Sequence, residues 1–433
     1  MKKNITTWGN YLKVKSNIYN SYQEKKLKKF VKKNNKIISY GNGGSYGDSP
    51  LGSNIIFIKK NKIINFNKKK GLLNVEAGVL LSKILNEFVP KGWFLKITPG
   101  RKYITVGGAI ASDVHGKNHH IEGCFSESIK EFKLILANGK LITCSKKLTP
   151  DLFKATCGGM GLTGIIVSAK IYLKKINSSN LDSKIIKTKN LKETLNLFEY
   201  YINKPYLVGW INTSAKDNLI GKSICNIAEF RNDGNLKFKT KQTFSIPFFF
   251  PDFFINNITI KLFNFLYYNK FINKISKKIV SLENFFYPLD KISNWNRIYG
   301  KKGFIQYHFI LPKKNSLKGI REVLKMILKS DHKSFLTVLK LHGKKNDNYL
   351  SFPLEGFSLA IDFKVKNGLF NFLKEIDKVV IKFDGRIYLT KDSRVSEKVF
   401  KKGYPKILTF KKFRKNNKMN IKFQSNQSKR LGI

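Results

Sequence analysis

From residue 37 onward the apolar positions fall into short alternating runs, IISYG, NIIFI, KIINF and LLNVEAG, and a period of two predicts half-buried β-strands. The longer run FKLILANGKLITC breaks at Asn138-Gly139, a dipeptide suited to the left-handed backbone of a hairpin turn. Between these strands the spacing changes. Leu80, Leu81, Ile84, Leu85 and Phe88 recur at helical intervals, and Thr149-Pro150-Asp151 opens a second short helix toward Ala155. Residues 37–180 therefore read as an α+β region.

Beyond 181 the pattern shifts to a helix over LKETLNLFEYYI, a strand over LVGWINTSA, and the aromatic passage FSIPFFFPDFFINNITIKLFNFLYY. Pro247, Pro251, Asp252, Asn256, Asn257 and Lys261 interrupt that passage too often for a membrane-spanning helix. Buried core or a lid over substrate is one expectation for it. A one-sided membrane contact is the other, because aromatic residues and lysine mix there. Strands resume at GFIQYHFILP, SFLTVLKLHG and GFSLAIDFKV, with the helical patterns LKGIREVLKMIL and LFNFLKEIDKVVIKF between them, which predicts an antiparallel sheet covered by helices. After Asp384-Gly385 come a strand, a capped helix using Val395 and Val399, and a basic tail. The divisions expected are 1–180, 181–385 and 386–433.

Composition narrows the class. A chain of 433 residues that is 42% hydrophobic and 25% charged can bury sizeable cores. Its 82 Lys and Arg against 28 Asp and Glu give a formal charge of +54, which invites nucleic acid or an anionic membrane as partner. The excess is spread along the whole length without a basic arm or an Arg-rich recognition helix, so a solvated lysine coat is expected and nucleic acid is not. Cys124, Cys144, Cys157 and Cys225 form no CxxC pair and have no His at zinc-ligand spacing, so free thiols and no metal are expected. The N-terminus lacks the apolar core of a secretory signal, and the expected location is the cytoplasm, with peripheral contact at the inner membrane face left open.

Three glycine loops carry the candidate chemistry. The first, Gly41-Asn42-Gly43-Gly44-Ser45-Tyr46-Gly47-Asp48, follows the strand IISY, and its N–H groups can form a concave nest for a diphosphate. The second couples Gly100 with Thr105-Val106-Gly107-Gly108 and Ser112-Asp113-Val114-His115-Gly116, then Lys117, Asn118, His119 and His120. Two such loops flanking one β-region can clamp both ends of a dinucleotide, while tight backbone packing without a ligand is the plainer alternative. The third, from Cys157 to Ile166, can close on the same ligand.

With these loops in order, the chain resembles the vanillyl-alcohol-oxidase (PCMH) type of FAD-binding oxidoreductases, and within it the decaprenylphosphoryl-β-D-ribose oxidase family. The strings that carry the likeness are SYGD, ITVGGAIASDVHGKNHH, GGMGLTGII, FYPLDKISNWNRIYG, GFIQYHFILP, FLTVLKLHG and YLTKDSR. The resemblance implies an α+β fold: a two-part FAD domain from residues 1–180 and 386–433, with a substrate domain of antiparallel sheet and helices inserted between. It also implies that FAD is held by the loop Gly41–Asp48, Gly100, Thr105, Val106, Gly107, Gly108, Ser112, Asp113, His115, Asn118, Ile166 and Tyr388. The first loop has neither the His nor a Cys of the kind through which some relatives tether flavin, so the expected FAD is non-covalent.

An alcohol that delivers hydride to flavin needs a cation near the ring's N1 and O2 and a shaped carbohydrate site. The resemblance places Lys391 of YLTKDSR as that cation and His115 and Lys117 on the substrate side. Trp210, Gln306, His308 and Lys340 complete the substrate site from the inserted domain. Gln306 and His308 sit two apart on one strand and so share a face. Mycobacterial members carry Asn and Cys where this chain has Ser358 and Ala360, an aromatic at His342 and Tyr at Phe286. The implied reaction is oxidation of the ribose 2-hydroxyl of a polyprenyl-phosphate pentose, the first half of an epimerisation in cell-envelope glycan synthesis, completed by an NAD(P)H-dependent short-chain reductase. An alditol or aldonolactone oxidase using oxygen on a soluble sugar is the alternative, and a non-catalytic basic protein is a third that leaves the glycine loops unexplained.

Overall fold

The computed structural model describes residues 2–21, 23–240 and 242–433. Ahead of Ile37, where lysines mask the alternation, an antiparallel hairpin of Lys2–Thr6 and Lys13–Ser21 precedes a helix at Glu24–Lys33. The hairpin continues in parallel through Asn54–Ile58 to Ile37–Tyr40, which makes a four-stranded sheet. The next sheet is antiparallel, in the order Ile63–Asn67, Leu72–Glu76, Ile165–Lys175, Ile129–Ile135, Leu141–Cys144, with Trp93–Leu95 also pairing to Ile165–Lys175. The expected hairpin lies in it. Gly139 takes φ +77°, the N–H of Leu136 donates to the carbonyl of Lys140, and Asn138 Oδ1 accepts from Lys140 N–H.

Between these sheets, Leu81, Ile84, Leu85 and Phe88 of the helix Leu81–Phe88 are buried, as their spacing predicted. The short helix expected after Thr149 is Pro150–Thr156.

The largest sheet has eight antiparallel strands in the order Ile275–Ser281, Asn180–Thr188, Ser223–Phe230, Tyr206–Ile211, Thr337–His342, Gly356–Lys364, Phe304–Pro312, Arg386–Ile387. Its two faces differ completely. Tyr307, Phe309, Leu339, Leu359 and Ile361 point to the helices Lys313–Lys329 and Leu369–Lys382, where they meet Ile320, Val323, Leu373 and Ile376 in one core. Residues one position along, Gln306, His308, Lys340 and Ala360, line a cavity on the other face. A slip of one residue in register would exchange these faces, so the apolar alternation fixes which polar groups enter the cavity.

Two expectations need correction. The basic tail after the helix Glu397–Gly403 is folded into helices Ile407–Asn416 and Asn426–Arg430, because Ile407, Phe410, Met419, Phe423 and Leu431 are buried among lysines that reach solvent. The aromatic passage is not buried core: Phe263 and Tyr267, with Phe271 just after it, line one wall of a cavity, as a lid over substrate would, while much of the rest reaches the surface. It forms the helix Asn257–Asn269 and flanking segments with Phe248, Phe253, Ile258, Leu262, Phe265 and Leu266 exposed. Among the described residues, no helix is long and apolar enough to cross a membrane.

Candidate active site

The three glycine loops and the polar face of the large sheet enclose a single cavity of about 920 Å3, near the upper end of the ~300–1,000 Å3 usual for small-molecule sites. Gly41, Asn42, Gly43, Gly44, Ser45 and Tyr46 form one wall, with Gly100, Thr105, Gly107, Gly108, Ser112 and His115 beside them. Ile166 and Tyr388 also face it, as do Gly161 and Gly164 of the third loop. Lys117, Trp210, Gln306, His308, Lys340 and Lys391 line the remainder.

The first loop suits a diphosphate on its own geometry. The N–H groups from Asn42 through Tyr46 donate to no protein acceptor among the described residues. Gly43 has φ +65°, and a Cβ there would fall 2.4 Å from the Tyr40 hydroxyl, while one at Gly41 would fall 2.6 Å from Thr105 Oγ1. A run of unpaired N–H groups beside bare backbone is an anion cradle, and the residues present fit the pyrophosphate of a dinucleotide.

Five residues expected at the cofactor do not face the cavity. Gly47 donates its N–H to the Thr390 carbonyl, and a Cβ on it would fall 1.9 Å from the Asp392 carbonyl oxygen, so this glycine lets the first loop close on the turn that carries Lys391. Asp48 is held by Arg430 at 2.7 Å, and the same guanidinium reaches Asp392 at 2.9 Å. Val106 is fully buried in the core. Asn118 donates to the Lys96 carbonyl at 2.9 Å. Asp113, fully buried, accepts from Ser126 N–H, Asn346, Asn348 and Ser351. These five shape the loops from behind.

Lys391 stands 3.5 Å over the Tyr46 ring, on a turn whose backbone is tied to Tyr388. Burial holds its ammonium below the usual lysine value, while the nearby Asp362 carboxylate pulls it back up. Burial pushes Asp362 up in turn, and Gln306 Nε2 donates to its Oδ1 at 2.6 Å. Arg101, lining the same cavity, stacks on Trp8 at 3.4 Å and has an unpartnered Nε. Lys340 is lowered to about 8 by burial, and Lys117 to about 7 by burial and then by Lys340. Lys117 is not free to roam: its ammonium donates to the Phe285 carbonyl.

The histidines regroup. His115 lies 4.9 Å from His342 and 5.6 Å from His308 between ring centroids, and burial holds all three well below the ordinary imidazole value, so they are neutral at pH 7. The sequence cluster His119-His120 is pulled away from the cavity. His119 Nδ1 accepts from Gly343 N–H, and His120 Nε2 bonds the Lys204 carbonyl, which fastens their short helix to the large sheet.

Sequence reasoning did not single out Asp362 or Arg101, nor Asn226 and Asp290, which line the cavity. Asp362 could have been found, since strand alternation places it on the same face as Ser358 and Ala360, and its register partner across the ladder is Gln306. Arg101 follows directly on Gly100, but nothing in its neighbourhood distinguishes it from other surface cations.

Comparison with known proteins agrees with this arrangement. A family described as FAD binding domain matches residues 23–145. The decaprenylphosphoryl-β-D-ribose oxidase of Mycolicibacterium smegmatis is 33% identical over 416 residues, 92% of this chain and 89% of that protein. A Streptomyces coelicolor protein encoded in the 5′ region of mprA is 24% identical over 82% of this chain and the whole of its own length. A Neurospora crassa protein assigned as a D-arabinono-1,4-lactone oxidase is 36% identical over 106 residues, 24% of this chain and 19% of its own. Full-length likeness, an FAD binding domain and a dinucleotide-sized cradle together make this chain an FAD-dependent oxidoreductase that belongs to the decaprenylphosphoryl-β-D-ribose oxidase family.

Proposed function

We propose that this enzyme oxidises the 2-hydroxyl of a ribose carried on a polyprenyl phosphate to a ketone, the first half of an epimerisation that serves cell-envelope glycan synthesis. The observation that carries the reading is full-length similarity to an oxidase of such a substrate, together with a cavity that extends beyond the glycine loops to Trp210 and Ile224 on the large sheet. Non-covalently bound FAD supplies the acceptor for the hydride that leaves the sugar carbon.

Each protein group has a part in this proposal. The loop Gly41–Tyr46 with Gly100, Thr105, Gly107, Gly108, Ser112, Ile166 and Tyr388 holds the cofactor, and Gly47, Asp48, Val106, Asp113 and Asn118 hold those residues in place. Lys391 supplies positive charge beside the flavin, and Asp362 keeps enough of it protonated. His115 and His308, neutral through burial, offer lone pairs to a sugar hydroxyl or its departing proton. Gln306 orients the sugar, and Lys340 and Lys117 are the cations within reach of its phosphate. Trp210 walls the site. Restoration of the hydrogen from the opposite side falls to an NAD(P)H-dependent short-chain reductase. In this scheme the domain division at 180 and 385 separates the cofactor part from the substrate part.

Purified protein should absorb as a flavoprotein, bleach anaerobically with polyprenyl-phosphate ribose, and release all its colour on acid precipitation. Colour retained in the precipitate would show a covalent tether. The runner-up, oxidation of a soluble alditol or aldonolactone, has the lactone-oxidase likeness behind it, and that likeness covers only 24% of the chain. Peroxide release with free sugars, without bleaching by the lipid phosphate, would favour it.

A further inference from the structure

The helix Asn257–Asn269 is apolar on both sides. It buries Ile260 and Asn264, and Asn264 donates to Ser214 Oγ at 3.1 Å and to the Ser334 carbonyl at 3.3 Å. Its outward face is apolar, with Ile258 77%, Leu262 57%, Phe265 62% and Leu266 58% exposed, spaced four, three and one residues apart along one side. A helix that only packs on a protein core keeps its outward face polar. Helix propensity does not account for it either, since a capping box at Asn256 and Thr259 defines the start and the helix is fully formed.

The exposure is concentrated in one place. Twelve of the twenty-one large hydrophobic residues exposed among the described residues fall between 244 and 279. The edge strand Ile275–Ser281 continues the surface with Ile275 and Ile279, and Ile272 in the preceding turn is 93% exposed. An exposed apolar patch of this density on a chain with no other use for it marks an interaction site.

Charge selects the partner. Between 244 and 280 the sequence carries Lys261, Lys270, Lys274, Lys277 and Lys278 against Asp252 alone. All five lysines are exposed, one of them pairing with Glu193 at 3.5 Å from Lys274. Apolar side chains ringed by lysine match a surface whose interior is hydrocarbon and whose boundary is anionic.

The patch is continuous with the active site. Phe263, Tyr267, Lys270, Phe271 and Lys278 line the cavity, and Tyr267 packs edge-on against Trp210 with centroids 4.7 Å apart. The helix thus has the cavity on one side and an apolar surface on the other.

We infer that the helix Asn257–Asn269 and the strand Ile275–Ser281 dock this enzyme on an anionic lipid bilayer, with the mouth of the cavity facing the membrane. A lipid-linked sugar then passes from bilayer to active site without its polyprenyl chain crossing water. This direction of entry rests on the substrate proposed above. The docking itself rests on the exposed helix and its lysines.

The test uses the FAD-loaded protein, vesicles of phosphatidylcholine alone or in equal parts with phosphatidylglycerol, and the triple variant I258S/L262S/F265S. None of the three residues lines the cavity, and the variant keeps every charge. Wild type should sediment with the anionic vesicles, less so in high salt, and the variant should bind them about tenfold or more weakly. The variant should still hold FAD and still be bleached by a short-chain, water-dispersed polyprenyl-phosphate ribose. Equal binding by the variant would show that the lysine coat alone attracts vesicles and would overturn the inference. So would failure of the wild type to bind, or a wild-type dimer that the variant dissociates. Absence of bleaching by any polyprenyl-phosphate sugar, with vesicle binding intact, would sink the substrate reading and leave the docking surface standing.

Discussion

Asp113→Asn tests whether this carboxylate braces the loops or touches the cofactor. Oδ1 accepts the Ser126 N–H at 3.0 Å, and Oδ2 accepts Asn346 Nδ2, Asn348 Nδ2 and Ser351 Oγ, each at 2.8 Å. Residue 113 has φ +41°, a conformation asparagine adopts as readily as aspartate, so the backbone has no reason to move. An amide can keep its oxygen toward three donors only by turning its NH2 at the fourth. That orphans a buried N–H at about 1–3 kcal/mol, and three bonds to a charged acceptor, about 1.5–3 kcal/mol each, become neutral ones worth about 0.5–1.5. The additive limit is about 4–7 kcal/mol, a large share of the ~5–15 kcal/mol that holds a typical fold. Urea unfolding of the FAD-free protein, followed by tryptophan fluorescence, should therefore show a clear fall in midpoint. An unchanged midpoint in the FAD-free protein, with weaker FAD binding, would refute the bracing role and return Asp113 to the cofactor.

Three further outcomes follow from the same geometry. Lys391→Ala should fold, bind FAD and lose substrate-driven flavin reduction, measured by anaerobic stopped flow; single-turnover reduction at the wild-type rate would remove Lys391 from the chemistry. Because burial lowers Lys391 and Asp362 raises it, reduction that depends on the ammonium should fade as pH rises toward values well short of the ordinary ~10.4 for lysine. Asp362→Asn should move that descending limb to lower pH, and a limb that stays put would uncouple the two groups. Arg430→Met strips the guanidinium from Asp48 and Asp392, two buried carboxylates, at a cost of about 3–5 kcal/mol. It should weaken FAD binding through the first loop, read by equilibrium dialysis, and unaltered affinity would argue that this loop is set by its own backbone.

Much of this was legible in one dimension. Alternation and helical spacing placed the strands around residues 37–76, the Asn138-Gly139 hairpin, the helix Leu81–Phe88 and the strand–helix succession after 304, because burial of one face is a local, periodic demand on sequence. The two faces of Phe304–Pro312 followed too, and with them the joint placement of Gln306 and His308 in the cavity. The glycine loops were visible because backbone that must approach closely tolerates no Cβ, a constraint written in residue identity.

What the sequence left undecided concerns partners far apart in the chain. Whether Asp48 meets a ligand or Arg430, 382 residues away, depends on how the C-terminal helices fold back. His119 and His120 read as neighbours of His115, yet His342 and His308 stand closer to it, because strand pairing rather than chain order sets those distances. The aromatic passage was ambiguous for the same reason: composition alone is equally suited to core and to surface. Only the tertiary structure, by seating Asn264 on Ser214 and Ser334 beside the large sheet and leaving Ile258, Leu262 and Phe265 at the surface, decided which of these residues are exposed. Local periodicity is fixed by each segment's own burial, whereas the choice of contact across hundreds of residues is made when the sheets close on one another.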